Sequence, residues 1–545
     1  MFAPLSPHFP VSGLAADLAA VFRDAGYTAD GLAGHLGPEY FEALMRGEPA
    51  TVELAAQGST PLDAILRIFV VHAPVSLQEL ADAVGAPLAT ALIDAGVTIP
   101  CADAPELVQV ALDIRPHLIV GRNHWVFSDV DAALVPHVPG PDHVLGVGSA
   151  SLSLLQSTPT SPVSTALDLG TGSGVQLLGQ LATAETVTAT DVHPRALDLA
   201  EATVAAAGVT ASRDGIGSPS RVELLQGSWF EPVAGRRFDR IVANPPFVVG
   251  LPEVGHVYRD SGLNLDGASE LVVSQSVKHL TPGGTAHLLA AWAHQGEVPW
   301  QQRVASWLPD KGVRAWIVQR DAADPALYVS TWLKDESVDV RTPEGRERAR
   351  LWLDHFRAND VHGIGFGYVA LQRIGDDEDS DVLAEYMPQP FTDPLGPEVE
   401  EYFARAAWLS GLGPGEFERN YFAVRPGLAR EDVALPDPSG QGFARAALRL
   451  TRTEGPRWQH DVDEHLAAIV AGINPQGLNL EETVSLYATL NDFDEEELLA
   501  SAIPAFVDLV RHGLVIPADL LDTGDVGTPG DVSDTSGING SGQED

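Results

Sequence analysis

The chain reads as an α/β protein in its middle third, with mostly helical segments on either side, and three observations predict this. Strand-like runs alternate with helical ones between residues 145 and 375, a glycine-rich turn directly follows the first run, and the flanks show helical apolar spacing without such alternation. Strands separated by helix-length segments need crossover connections, so the alternation predicts a largely parallel, doubly wound sheet. The runs are 165–169, 187–190, 222–225, 238–243, 285–291, 313–319 and 363–371. A chain of 545 residues exceeds one ordinary core. Four parts are expected: a helical, winged-helix-like domain over 1–140, the α/β domain over 145–375, a second helical and winged-helix-like domain over 380–517, and a Gly/Ser/Asp/Thr-rich tail over 518–545, too polar to order. The acidic stretch 376–381 marks the boundary after the α/β domain.

In the first part, residues 61–71 have helical apolar spacing, Ser76 can cap a helix over 77–84 with Glu79 completing a capping box, and 87–95 make a third helix stopped by Gly96. The β-like runs 97–100 and 118–127 follow, which gives three helices and a wing. The third helix offers no Arg, Lys, Asn or Gln to base edges, so a structural or protein-docking role is favoured over DNA reading. Residues 509–517 echo 92–100 as helix, glycine and short strand, the basis for expecting a similar unit near the end.

Thirty-three basic residues face 75 acidic ones, a formal net charge of -42, which disfavours nonspecific polyanion binding. Local groups such as Arg236, Arg237 and Arg240, or Arg341, Arg346, Arg348 and Arg350, read as solvated arginines rather than phosphate contacts. No uncharged apolar run is long enough to span a membrane, and the start, Met1-Phe2-Ala3-Pro4-Leu5, lacks the features of a secretory signal. Cys101 is the single cysteine, so no internal disulfide or thiolate zinc site is possible. A cytoplasmic protein is expected. Histidines such as His460 and His465 lack ligand spacing, and no metal is expected.

Glycine at 170, 172 and 174 after the first strand lets the backbone turn tightly and approach a ligand where a Cβ would collide. The next strand ends in Asp191, where a carboxylate can accept both ribose hydroxyls of an adenosine. Such a carboxylate also suits NAD, but the Gly-x-Gly-x-x-Gly spacing that presents a helix N-terminus to pyrophosphate is missing. The stretches Asp168-Leu169-Gly170-Thr171-Gly172-Ser173-Gly174, Thr190-Asp191-Val192-His193-Pro194 and Phe238-Asp239-Arg240-Ile241-Val242-Ala243-Asn244-Pro245-Pro246-Phe247 together resemble the class I S-adenosylmethionine-dependent methyltransferases. Within these they are similar to the small-methyltransferase-domain branch, which includes release-factor glutamine, ribosomal RNA guanine-N2 and adenine-N6 methyltransferases.

The resemblance covers about residues 145–375. It implies a Rossmann-like, seven-stranded sheet with a reversed last strand and S-adenosylmethionine over the carboxyl ends of the first strands. The implied cofactor set is Asp168, Gly170, Thr171, Gly172, Gly174, Asp191, Val192, Ser228 and Trp229, with the glycines toward the methionine portion, Asp191 toward the ribose and Val192 toward the adenine face. Many relatives carry an acidic residue where this chain has Gln226-Gly227-Ser228-Trp229-Phe230, so the adenine contact at Ser228 would be neutral and weaker by roughly 1 kcal/mol. Residues 258–262 are a candidate lid and 145–152 a candidate cover over the methionine end.

The loop Asn244-Pro245-Pro246-Phe247 supplies the expected catalytic set. An amino group conjugated to a ring or carbonyl has its lone pair tied up in resonance. Hydrogen bonds from its N–H groups to Asn244 Oδ1 and the Pro245 carbonyl would draw the nitrogen toward tetrahedral geometry and free that pair. The two prolines stiffen the loop, and Phe247 offers a stacking face worth roughly 1–3 kcal/mol to a base. Methyl transfer to a planar amino nitrogen is therefore expected, first to an exocyclic amino group of a nucleobase, in RNA more than in DNA. The alternatives are a glutamine amide in a translation factor or ribosomal protein, and a cofactor-sensing regulator whose ends do the binding.

Overall fold

The computed structural model describes residues 11–521, apart from 46–47, 133, 136, 138, 214–219, 253–261, 336–337 and 392. Most of the expected tail and most of the candidate lid lie outside the described residues. Ala518–Leu520, at the start of that tail, form a turn of 3-10 helix.

The chain divides into two compact units, residues 1–389 with 394–399, and residues 390–393 with 400–545. The first unit is organised by a mixed sheet of nine strands: β1 (Val163–Leu169), β2 (Ala184–Asp191), β3 (Ala211–Ser212), β4 (Val222–Gln226), β5 (Phe238–Ala243), β6 (Leu280–Gln295), β7 (Val313–Ala323), β8 (Val361–Arg373) and β9 (Asp381–Tyr386). Their order is β9-β7-β8-β6-β5-β1-β2-β4-β3. β8 runs antiparallel to both β6 and β7, so the reversed late strand is present. All other pairings are parallel.

Among the described residues the sheet has nine strands where seven were expected. Two short edges add to the core strands: β3 beside β4, and β9, which returns after the acidic turn to lie parallel to β7. Charge was a poor guide to the boundary here, since residues 376–381 connect strands of one sheet. Helices α1 (Ser149–Ser157), α2 (Val175–Leu181), α3 (Pro194–Ala206), α4 (Gly267–Ser276), α5 (Trp300–Ala305), α6 (Pro325–Asp335) and α7 (Pro343–Ala358) complete this part.

The N-terminal helices pack directly on α3. Phe22, Leu18, Leu66, Phe69 and Leu92 share a core with Ala196, Leu199, Ala202 and Ala206 of that helix. The capping box forms as expected, with the Ser76 side chain accepting from the Glu79 N–H and the Glu79 carboxylate accepting from the Ser76 N–H. Strands Val75–Ser76, Leu107–Val110 and Thr98–Pro100 pair antiparallel in that spatial order.

The expected strand over 118–127 is instead the turn and second half of a hairpin, Leu112–Ile119 with Arg122–Asp129. Val120 and Gly121 both have positive φ, 45° and 71°, as a two-residue hairpin turn requires. One hairpin face, Ile114, Trp125 and Phe127, joins the N-terminal core, and Ile119 and Val126 pack with Val175, Leu177, Leu197 and Ala200 of α2 and α3.

The second unit, expected to be helical, carries helices Glu464–Gly472, Leu480–Asn491 and Glu495–Arg511 together with two small sheets. Leu428–Pro436, Phe443–Arg452 and Gln459–Val462 form one of them, and Phe422–Val424 pairs with Val515–Pro517 in the other. The turn-rich stretch 437–442 closes a hairpin that the helical expectation overlooked.

Candidate active site

β1 ends at Leu169 and the chain turns through Gly170, Gly172 and Gly174, all at positive φ, 74°, 54° and 85°. The three glycines are required for different reasons. A Cβ on Gly170 or Gly172 would meet nothing within 4 Å, because both border open space, whereas one on Gly174 would stand 3.3 Å from the Ala200 Cα and press α3 away. The turn is pinned from below: the Thr171 hydroxyl donates to Asp168 Oδ2 at 2.6 Å, and the Gly170 and Thr171 N–H groups both donate to the Thr190 carbonyl at 2.9 Å. Asp168 is buried, which pushes its carboxyl up to about 7 against the opposing Thr171 hydrogen bond. It supports the turn from beneath and does not line the cavity above it.

Asp191 at the end of β2 accepts from the Gly172 N–H at 3.0 Å and from the His193 N–H at 2.9 Å. Burial raises its carboxyl pKa, against those hydrogen bonds. Val192 beside it is exposed. Trp229, after β4, has φ 50°, a left-handed conformation that costs a non-glycine residue about 1–3 kcal/mol and that aims Ser228 and Trp229 at the same space.

These residues enclose one side of a cavity of about 640 Å³, whose lining includes Gly170, Thr171, Gly172, Asp191, Val192, Ser228 and Trp229 together with Asn244, Pro245 and Pro246. The volume falls in the range of pockets that enclose drug-sized ligands, roughly 300–1,000 Å³. Residues 145–148, with Ala150 and Ser151 of α1, line it as well. Asn244 donates from Nδ2 to Ser151 Oγ at 3.5 Å.

Gly174 lies beneath the turn. Phe247 lies outside the lining and packs, partly buried, against the apolar cluster of Val248, Val249, Tyr328, Trp352 and Phe356. The same cluster steadies the loop, since the Val249 N–H donates to Tyr328 Oη at 2.7 Å.

The remaining wall is one that sequence reasoning missed. It comes from the N-terminal hairpin, whose alternate residues Asp113, Arg115 and His117, with Val126 and Ser128 opposite, face the cavity. The signal was available as strict charged/apolar alternation over 112–117, a half-buried strand pattern. Arg115 donates from Nε to Asp113 Oδ1 at 2.9 Å and pairs with Asp131 at 3.2 Å. Burial and the Arg115 charge push His117 down to about 4. Asp129 holds Arg195 of α3 through its Nε at 3.0 Å. The lining carries Asp113, Asp129, Asp131, Asp142 and Asp191 against Arg115, so negative charge is in excess.

Of the arginines read as surface groups, Arg236, Arg237, Arg341, Arg346 and Arg350 are exposed and Arg240 is the exception. Arg240 is buried, donating to Ser161 and Thr183. Arg236 pairs with Glu223, Arg341 with Asp339, and Arg350 with Glu347. His460 and His465 contact His512 and Tyr487. Among the described residues no group of three or more potential ligands is placed to hold a metal, and no helix is long and apolar enough to cross a membrane.

A glycine turn beneath open space, a carboxylate at the end of the second core strand and an Asn-Pro-Pro loop on one cavity, set on a sheet with a reversed strand, define a methyltransferase domain. Residues 145–297 match the family described as the methyltransferase small domain, and this part of the chain is a class I S-adenosylmethionine-dependent methyltransferase of that branch. Residues 24–107 and 400–517 match two further families, each described as a domain of unknown function.

Among curated proteins the chain is similar to the release factor glutamine methyltransferase of Gloeobacter violaceus, 28% identical over 33% of this chain and 62% of that one. It is also similar to the same-named protein of Cereibacter sphaeroides, 35% identical over 26% of this chain and 52% of that one. The chain thus spans little more than half the length of these relatives. A solved structure similar in part is the Thermus thermophilus 16S rRNA N2 G1207 methyltransferase with AdoMet and guanosine, 18% identical, TM-score 0.25, covering 38% of this chain and 52% of that one.

The cavity fits S-adenosylmethionine. The open space over Gly170 and Gly172 would be filled by a Cβ at either position, and Asp191, held by backbone N–H groups that include those of Gly172 and His193, retains acceptor capacity for a diol.

Proposed function

We propose that this protein transfers a methyl group from S-adenosylmethionine to a planar amino nitrogen. The observation that carries the proposal is Asn244: its amide nitrogen is engaged by Ser151, so its oxygen remains as an acceptor on the cavity that the glycine turn also borders. When bound, the cofactor supplies a methyl group activated by a sulfonium. The chain's own residues position and polarise. Gly170, Thr171, Gly172 and Asp191 hold the cofactor, Ser228 and Trp229 flank its base, and Asn244 Oδ1 with the Pro245 carbonyl accepts the N–H groups of the acceptor nitrogen. The methylated nitrogen is strongly acidic and loses its proton after transfer, so positioning and electrostatics carry the rate.

A side-chain amide of glutamine in a translation-related, cytoplasmic protein is the acceptor we favour. It is supported by the similarity to release factor glutamine methyltransferases, by the carboxylate excess around the cavity, which repels phosphates, and by the engagement of Phe247 in the cluster beneath the loop. An exocyclic amino group of an RNA base is the second acceptor, since its planar nitrogen presents the same N–H groups to Asn244 and Pro245 on the cavity. We further propose that the helices and short strands over 60–131 form a winged-helix-like module that docks a protein partner, and that the second unit holds a similar module near its end.

The test is to incubate the full chain with cofactor labelled in its methyl group and a cell extract, then digest with protease or ribonuclease. Protease-sensitive label is expected. Ribonuclease-sensitive label would transfer the assignment to RNA, and tight cofactor binding without label in any fraction would leave a cofactor sensor.

A further inference from the structure

Two side-chain amides meet at Ser151. Asn244 donates from Nδ2 to its hydroxyl, and Gln176 of α2 donates from Nε2 to its backbone carbonyl at 2.8 Å. Gln176 is only 4% exposed, belongs to the cavity lining, and has a buried Oε1 that meets no hydrogen-bond partner among the described residues. A carbonyl can only accept, so the bond to Ser151 fixes which end of the Gln176 amide is nitrogen. The oxygen is left as a committed acceptor that meets no donor among the described residues, on a side chain that borders the cavity.

The topology of the cavity says which part of the cofactor meets it. A sulfonium has three branches: the methyl group must point at the acceptor beside Asn244, and the ribose belongs at Asp191. The part of the lining that continues from the glycine turn is built by Ser173, Val175 and Gln176 on one side and by Gly146, Val147, Gly148, Ala150 and Ser151 on the other, beside the hairpin wall, and it is here that we place the amino-acid chain. That chain carries an ammonium rich in donors.

We infer that Gln176 is a specificity-determining residue for the cofactor, its Oε1 accepting a hydrogen bond from the α-ammonium of the amino-acid chain. The inference rests on the methyl-transfer assignment of the cavity. It also explains why an uncharged polar side chain is buried in the first turn of α2, where an apolar one would pack without loss.

Calorimetric titration of the full chain separates the possibilities, using S-adenosylhomocysteine, its analogue lacking the amino group, and 5′-methylthioadenosine, which lacks the whole amino-acid chain. The intact protein should bind S-adenosylhomocysteine about tenfold or more tightly than the deaminated analogue, the span of one hydrogen bond to a charged group. Gln176→Leu should bind those two alike and bind methylthioadenosine as the unsubstituted protein does. Equal affinity of the unsubstituted protein for both amino-acid ligands would overturn the inference, and that comparison stands whether or not the variant folds. So would a Gln176→Leu protein that loses methylthioadenosine together with S-adenosylhomocysteine, since the glutamine would then be structural. Failure of the unsubstituted protein to bind S-adenosylhomocysteine at all would instead overturn the cavity assignment beneath it.

Discussion

Asn244 and Asp168 sit a short distance apart in the fold and ask for opposite experiments. Asn244→Ala removes an acceptor needed only when the nitrogen reacts, so kcat should fall about 10²–10³-fold while S-adenosylhomocysteine affinity stays within about twofold. A parallel collapse of affinity would make Asn244 structural. Ser151→Ala should lower kcat by a smaller factor, about tenfold, and Ser151→Thr should restore it, because Thr keeps the hydroxyl that holds the Asn244 nitrogen.

Asp168 bears on stability. Its folded carboxyl is pushed up to about 7, above the unfolded value near 4, so the folded state binds more protons across that interval. Stability from this group is complete at the acid end and is lost as pH rises from about 4 to about 7. Asp168→Asn, which keeps an oxygen for the Thr171 hydroxyl, should therefore melt at a higher temperature than the parent at pH 8, with the difference shrinking toward pH 5. A difference that does not change with pH would remove the buried charge from the account.

At the scale of elements, the loop after β5 depends on a helical layer remote in sequence. The Val249 N–H is buried and its acceptor is the Tyr328 hydroxyl of α6. Tyr328→Phe leaves that donor unmet, at a cost of about 1–3 kcal/mol in denaturant unfolding, and should lower kcat more than it weakens cofactor binding, since it loosens the loop that presents Asn244.

The core strands and the glycine turn were legible because each is written locally: apolar runs at strand length, glycines where φ is positive, a carboxylate at a strand end. The Asn244 loop was legible for the same reason. The hairpin wall was harder to see, because whether Arg115 and His117 face solvent or a cavity depends on α3, to which Phe127 is tied through Thr203. Phe247 misled for a related reason. An aromatic ring after a strand is equally suited to stacking on a base and to packing on Tyr328 and Trp352, and only the helices α6 and α7 decide. The edge strands β3 and β9 were too short, or too masked by acidic neighbours, to register as strands at all.

At the scale of the whole molecule, burial of neutral histidines sets the acid limit. His287 in the centre of the sheet is pushed down to about 3 and His117 to about 4, both by burial reinforced by a nearby arginine. The unfolded chain takes up those protons near pH 6.5 and the folded chain does not. Their contribution is present above pH 6.5 and drains away as pH falls toward 4, opposite in sense to that of Asp168. Urea midpoints measured between pH 7 and pH 4.5 should decline, and replacing His287 by Gln should flatten the decline. An unchanged slope would place the acid sensitivity elsewhere.

The hairpin carries one more consequence, for anyone who wishes to transplant the chemistry. Sequence similarity to methyltransferases begins near residue 145, which makes that point the natural scissor mark. An excised piece starting there would keep the glycine turn, Asp191 and Asn244, yet its trough would be breached on the flank that Asp113, Arg115 and His117 shield, and water would flood it. Equilibrium dialysis should find such a fragment a markedly poorer host for S-adenosylhomocysteine than the uncut protein, and equal affinity would demote the hairpin to a bystander.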